Sequence, residues 1–219
     1  MKQLPGEIER ESFSIIAEEL RARGISLPGE TAAVVMRCIH ASADFDYAET
    51  LRFTPHAVTH AVQALRQGAA IVTDTNMALA GVSRAGLGKL GGEAHCFMAE
   101  DFVAAAAKAG GTTRAAAAMD YAAERYPKAV FAVGNAPTAL FRIADQIEAG
   151  LRPALVIAVP VGFVNVTESK ERILSLCERE GIPAIVALGR KGGSSVAAAV
   201  CNALIYTAAD WNDPKKRGW

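Results

Sequence analysis

From residue 69 onward the chain alternates short apolar runs rich in β-branched residues with longer segments of helical composition, and this alternation leaves few folds open. Repeated strand and helix builds βα units, and βα units feed a largely parallel sheet flanked by helices. About five strands are predicted, over 70–73, 94–98, 129–133, 154–159 and 184–188. Helices are expected over 101–109, 113–125, 137–149, 168–180 and 195–207. Three further helices precede the repeat, over 8–23, 27–41 and 56–67, so the expectation is an α/β fold with an N-terminal helical segment. Ser26 starts the second of these, with Pro28 in its first turn. Thr54 is the expected N-cap of the third, with Pro55 at the first helical position and Gly68 just past the last turn.

No repeat, low-complexity tract or Pro/Ser-rich linker divides the 219 residues, and 51% hydrophobic composition suits one continuous core. A single domain over 1–219 is expected, with a helical segment at 1–68, a βα core at 69–209 and a loose surface tail at 210–219. Lys and Arg number 23 and Asp and Glu 23, so no net field attracts nucleic acid or anionic lipid. Residues 1–10 carry no apolar leader pattern, and the longest apolar run, 154–164, is too short to cross a bilayer. A soluble cytoplasmic protein is predicted, with neither nucleic-acid nor membrane partner. Cys38, Cys96, Cys177 and Cys201 show no paired or metal-ligand spacing and are expected to be reduced, buried thiols.

In open α/β sheets ligands bind outside the carboxyl ends of the strands, so the segments that follow the strands carry the functional information. Asp74, Asn135, Asn165, Arg190 and Lys191 all fall in such segments and are candidates for one rim. The loop 189–195 places three glycines, two cations and two hydroxyls before a helix, where backbone N–H groups favour an anion. On the loop alone, a flexible turn with solvated cations serves equally well. The order of a Walker A loop is absent, and the pair Gly86 and Gly88 follows no strand as a dinucleotide fingerprint would.

His56 and His60 are four apart but lack the glutamate and third ligand of a zinc helix, and both fall off the stripe of Val58, Ala61, Val62 and Leu65. His40 lies at the end of the second helix, one turn before Asp44 and with Asp46 close behind, so a carboxylate could orient its ring. Such a histidine can move a proton near neutral pH; equally, the helix dipole alone favours histidine there. Arg114 opens a helix, where a cation is disfavoured unless an anion compensates it, and the pair Ser83 and Arg84 is likewise placed to grip a carboxylate.

Six blocks carry a resemblance across nearly the whole chain, in order: VVMRCIHASADFDY, AIVTDTNMALA, GGEAHCFMA, AVGNAPTAL, AVPVGFVNVTESKE and GRKGGSSVAAAVCNA. Together they resemble the precorrin-8X methylmutase family. The resemblance implies an isomerase that moves a methyl group from C11 to C12 of a corrin precursor, without external cofactor or protein-bound metal. The product would be hydrogenobyrinic acid or its cobalt counterpart, through a sigmatropic shift assisted by a protonating histidine matched here by His40. It places Ser12, Ser83, Arg84 and Arg114 against the substrate, whose acetate and propionate arms guanidinium groups would hold. It also implies a homodimer with a shared site near the two-fold axis. Asn165, Val166 and Thr167 stand where the metal-free branch carries Gly-Ala-Ala, and DFDY, TDTNMA, HCFMA and GRKGGS are similar to the cobalt branch. Two other classes remain open from the residues: a tetrapyrrole carrier using the same rim without turnover, and a metal-dependent hydrolase built on His56, His60 and His95.

Overall fold

The computed structural model of the chain describes residues 4–27 and 29–217. Pro28 lies outside them, as do residues 218 and 219 of the predicted tail. The N-terminal region holds α1 (Pro5–Ala22), α2 (Gly29–Ser42), the single turn α3 (Tyr47–Thr50), β1 (Leu51–Phe53) and α4 (Ala57–Arg66). Then come β2 (Ile71–Thr73), α5 (Asn76–Gly81), α6 (Arg84–Lys89), β3 (Ala94–His95), α7 (Asp101–Ala109) and α8 (Arg114–Arg125). The chain ends with β4 (Val130–Val133), α9 (Pro137–Glu148), β5 (Leu155–Ala158), α10 (Val166–Glu180), β6 (Ala184–Ala187), α11 (Ser194–Ala208) and a 3-10 turn over Pro214–Arg217.

The sheet runs β1-β6-β5-β4-β2-β3, parallel except for β1, which pairs antiparallel with β6. Strands β4, β5 and β6 are apolar and buried throughout because helices cover both faces. Along β5 and the residue after it, Leu155, Ile157 and Val159 join the core shared with α1, α2, α4 and α11. Val156 and Ala158 join the second core, under α7 to α10. The same alternation holds in β4, where Val130 and Ala132 face one layer and Phe131 and Val133 the other. From β2 the chain passes outward to β3, whereas from β4 it runs to β5 and β6 on the opposite side. The switch point therefore falls between the carboxyl ends of β2 and β4, where such folds bind ligands.

Four expectations are corrected. The segment 1–68 is not wholly helical: it contains a strand, β1, which brings the sheet to six strands. Thr54 does not cap α4: its hydroxyl donates to the Ile182 carbonyl (3.2 Å) and accepts from the Ala184 N–H (2.8 Å), fastening β1 to the start of β6. His56, at φ 58°, precedes the first turn instead. The predicted strand 94–98 shrinks to two residues, because Phe97 leaves the sheet edge to pack on Tyr121, with centroids 4.8 Å apart. The tail is not loose where it is described: Arg217 reaches back to Glu9 (2.8 Å) and lies over the Tyr206 ring at 4.5 Å. Cys38, Cys177 and Cys201 are buried, and burial pushes each thiol up to about 12, so they pack as small hydrophobes.

Candidate active site

His40 sits in the last turn of α2 on the solvent side, its ring stacked on Phe13 of α1 at 5.2 Å between centroids and 15° between planes. The Arg37 guanidinium lies over Phe13 (4.8 Å) and over Tyr206 (5.0 Å), and Glu9 holds Arg37 at 2.8 Å. Partial burial and then Arg37 push the His40 pKa below the usual imidazole value, with Glu9 opposing them. Glu9 is itself pushed up by burial, but hydrogen bonds from Arg217 and Arg37 outweigh that and leave it below the usual carboxylate range. The sequence expectation that Asp44 or Asp46 orients His40 does not hold. Both carboxylates close on Lys191, at 2.7 and 2.5 Å.

Ser12 adjoins Phe13 on α1, and its hydroxyl donates to the Ile8 carbonyl (2.8 Å). Ser83 caps α6, accepting from the Gly86 N–H (3.3 Å). Its own N–H donates to Asn202 Oδ1 (2.7 Å), whose amide returns a hydrogen bond to the Gly81 carbonyl (2.8 Å). That fixes Ser83 and the exposed Arg84 beside α11, about 12 Å down the helix from its start. Arg114 is exposed at the first position of α8, on the other face of the sheet from His40. Thr113 donates to the Thr138 hydroxyl (2.9 Å) just after β4, which brings the Arg114 end of α8 to the strand-end rim. Thr112 and Thr138 also line a cavity of about 1160 Å³ between α7, α8 and α9, where Phe102, Tyr121 and Arg142 lie.

At the switch point Asp74 is fully buried and receives three backbone N–H groups, from Gly134 (2.8 Å), Asn135 (2.8 Å) and Ala136 (2.7 Å). Burial raises its pKa, while those three donors pull the other way. The expectation of Asp74 on an open rim is thereby corrected: it stitches the β2 and β4 loops together, because only a carboxylate offers enough lone pairs there. The side chains of Thr75 and Ser194, 2.8 Å apart, join the β2 loop to the start of α11. Asn135 and Asn165 are exposed on the rim, the latter left-handed at φ 56° before α10. Phe163, two residues before Asn165, is 82% exposed, with the Arg190 guanidinium 5.4 Å from its ring centre. Lys191 is held by Asp44 and Asp46, so it links the 189–193 loop to the His40 end of α2.

Phe13, Glu9 and Arg37, which shape the surroundings of His40, are not foreseeable from sequence, since nothing in their spacing points to an aromatic seat and an ion pair across two helices. Lys170 also escapes the sequence reading, although its position in the apolar stripe Val166, Ile173, Cys177 is a legible signal. His95 lies in a ring stack with Tyr126 (4.7 Å) and Phe97 (5.6 Å). His56 and His60 form a tilted pair 6.1 Å apart. Among the described residues no group of three or more His, Cys, Asp or Glu could hold a metal ion, and no helix is long and apolar enough to cross a membrane.

An accessible imidazole at a helix end, exposed guanidinium groups on both layers and exposed apolar side chains after β5 mark an α/β fold with a candidate site along its strand ends. Residues 7–207 match the family Precorrin-8X methylmutase, and the chain belongs to that family. It is 43% identical over 210 residues to the cobalt-precorrin-8 methylmutase of Salmonella typhimurium, covering 93% of this chain and 96% of that protein. The precorrin-8X methylmutase of Pseudomonas aeruginosa is 39% identical over 198 residues, covering 90% and 93%. The crystal structure of precorrin-8x methyl mutase from Thermus thermophilus superposes with a TM-score of 0.83 at 40% identity, covering 93% of this chain and 98% of that one. The protein is thus a methyl-shifting isomerase of cobalamin biosynthesis.

Proposed function

We propose that the chain moves a methyl group from C11 to C12 of cobalt-precorrin-8, with His40 as the acid. The observation that carries this is the seat of His40: an accessible imidazole, held flat on Phe13, with its pKa lowered by burial and Arg37 so that it gives up a proton readily. Protonation of the substrate makes the conjugated system cationic and lowers the barrier to migration, an effect worth about two to four powers of ten. Orientation of the macrocycle supplies the remainder. Arg84, Arg114 and Arg190 are exposed and take the peripheral carboxylates, while Phe163 offers an apolar face to the ring plane. The relatives at 43% and 42% identity are both named cobalt-precorrin-8 methylmutase, which supports the cobalt substrate.

The working form is a homodimer. His40 and Arg114 lie on opposite faces of one sheet, which supports a site completed by a second copy. Leu4, Ile8 and Ile15 form an exposed apolar stripe along the α1 end of the chain, suited to packing against a partner. We further propose that the protein works in the cytoplasm.

The test is anaerobic incubation of the wild-type chain and of His40→Ala with cobalt-loaded and metal-free precorrin-8, following absorbance and mass together. A spectral change at constant mass that the substitution abolishes is the expected result. Binding of pigment by both proteins with no change of chromophore replaces the isomerase with a carrier.

A further inference from the structure

Lys170 is 0% exposed, on the apolar face of α10 beside Val166, Ser169, Ile173 and Cys177. A buried ammonium is unfavourable unless its N–H groups are matched, and a Leu at that position would extend the stripe without cost. Its partners are two backbone carbonyls, those of Gly189 and Lys191, each 2.8 Å from Nζ. The carbonyl between them, of Arg190, accepts from the Gly162 N–H at 3.2 Å, and the Gly193 N–H donates to the Val159 carbonyl at 2.8 Å. Three successive carbonyls of the loop are thus held from below, while the side chains of Arg190 and Lys191 stand out to solvent. Lys191 then reaches Asp44 at 2.7 Å and Asp46 at 2.5 Å, and Asp44 lies four residues past His40.

An exposed ion pair of this kind, free at both ends, has little fixed geometry. Here one end is tied to a buried cation and the other to the end of a packed helix. We propose that Lys170 is a positioning residue for the methyl shift: by holding the carbonyls of Gly189 and Lys191 it sets Lys191 against Asp44 and Asp46, and through them the end of α2 that presents His40. This rests on His40 being the acid. Burial lowers the Lys170 pKa to about 8, which leaves the group protonated and its N–H donors in place at neutral pH. A displacement of about 1 Å in an acid group costs up to about a hundredfold in rate, so a tether acting from beneath the loop is consequential.

The experiment is a double-mutant cycle of Lys170→Met and Lys191→Met, with kcat and KM measured on the substrate that the wild-type chain turns over. Each single variant is expected to lower kcat about tenfold with KM changed less than about threefold. The double variant is expected to be no slower than the worse single, because both cut the same tether. Lys170→Gln, whose amide keeps two N–H donors, should recover some of the lost kcat. A Lys170→Met protein that melts earlier but turns over at the wild-type rate well below its Tm overturns the proposal, as do losses that multiply in the double variant. Failure of both Lys170 variants to fold makes it a folding residue and overturns the proposal as well. A wild-type chain without turnover, or His40→Ala at full rate, removes the underlying reading instead, and the two failures are therefore distinguishable.

Discussion

As the proposed acid, His40 must carry its proton before it can give it away. Burial and Arg37 place its pKa below 6.5, and Glu9 offsets them only in part. For the free enzyme, kcat/KM is therefore expected to climb as pH falls, by about tenfold per unit, and to level off only below pH 6.5. A profile that levels off above pH 7 would contradict this environment. Bound substrate brings carboxylates to the site, which favour the imidazolium, so the inflection in kcat should lie higher than that in kcat/KM. Asp74 illustrates the opposite use of a titratable group, as a fixed acceptor. Asp74→Ala leaves three backbone N–H groups, one buried and two part-buried, without their acceptor and should cost about 3 kcal/mol in urea denaturation. Asp74→Asn keeps one accepting oxygen but turns an amide N–H2 against the same donors, so it should recover only a fraction of that loss.

The loop between β6 and α11 depends on glycine at two points. A Cβ on Gly192, at φ 158°, would stand 2.1 Å from the Val159 carbonyl, and one on Gly134 would stand 2.8 Å from the Ser194 Cα. Gly192→Ala must lift the loop off β5, so it should reduce turnover and substrate affinity together while leaving the secondary structure measured by circular dichroism intact. Thr54→Val removes both hydrogen bonds of the Thr54 hydroxyl, to Ile182 and from Ala184, and should cost about 1–3 kcal/mol, read from the urea midpoint. The central strands are legible in the sequence because burial on both faces demands an unbroken apolar run, as in Leu155–Ala158. The long helices are legible from their stripes. β1 is not, because Leu51, Arg52 and Phe53 form a short edge strand with only one strongly buried side chain, and its pairing with β6 spans more than 130 residues of sequence. The short helices α5 and α6 escape notice because six residues each carry no full period of a stripe. In the candidate site the exposed cations and His40 can be found by type and position. Asp74 and Lys170 cannot be assigned their work, since a buried group's partners are backbone atoms brought together only by the fold.

At the scale of the molecule, a sheet with His40 on one side and Arg114 on the other, and an apolar stripe at Leu4, Ile8 and Ile15, argues for assembly. Light scattering should give twice the chain mass. Ile8→Glu with Ile15→Glu should shift the protein toward monomer and lower turnover, whereas a monomeric wild type at full activity would contradict a shared site. The two ends of the described chain also meet: Arg217, near the carboxyl end, grips Glu9 of the first helix, and Glu9 is the charge that pulls His40 upward. Whoever designs a shortened version, or appends a purification handle after residue 217, is therefore working on the back of the proposed acid. Removing Arg217 would leave Glu9 less neutralised, and the trimmed enzyme would hold its proton to a higher pH than the intact one.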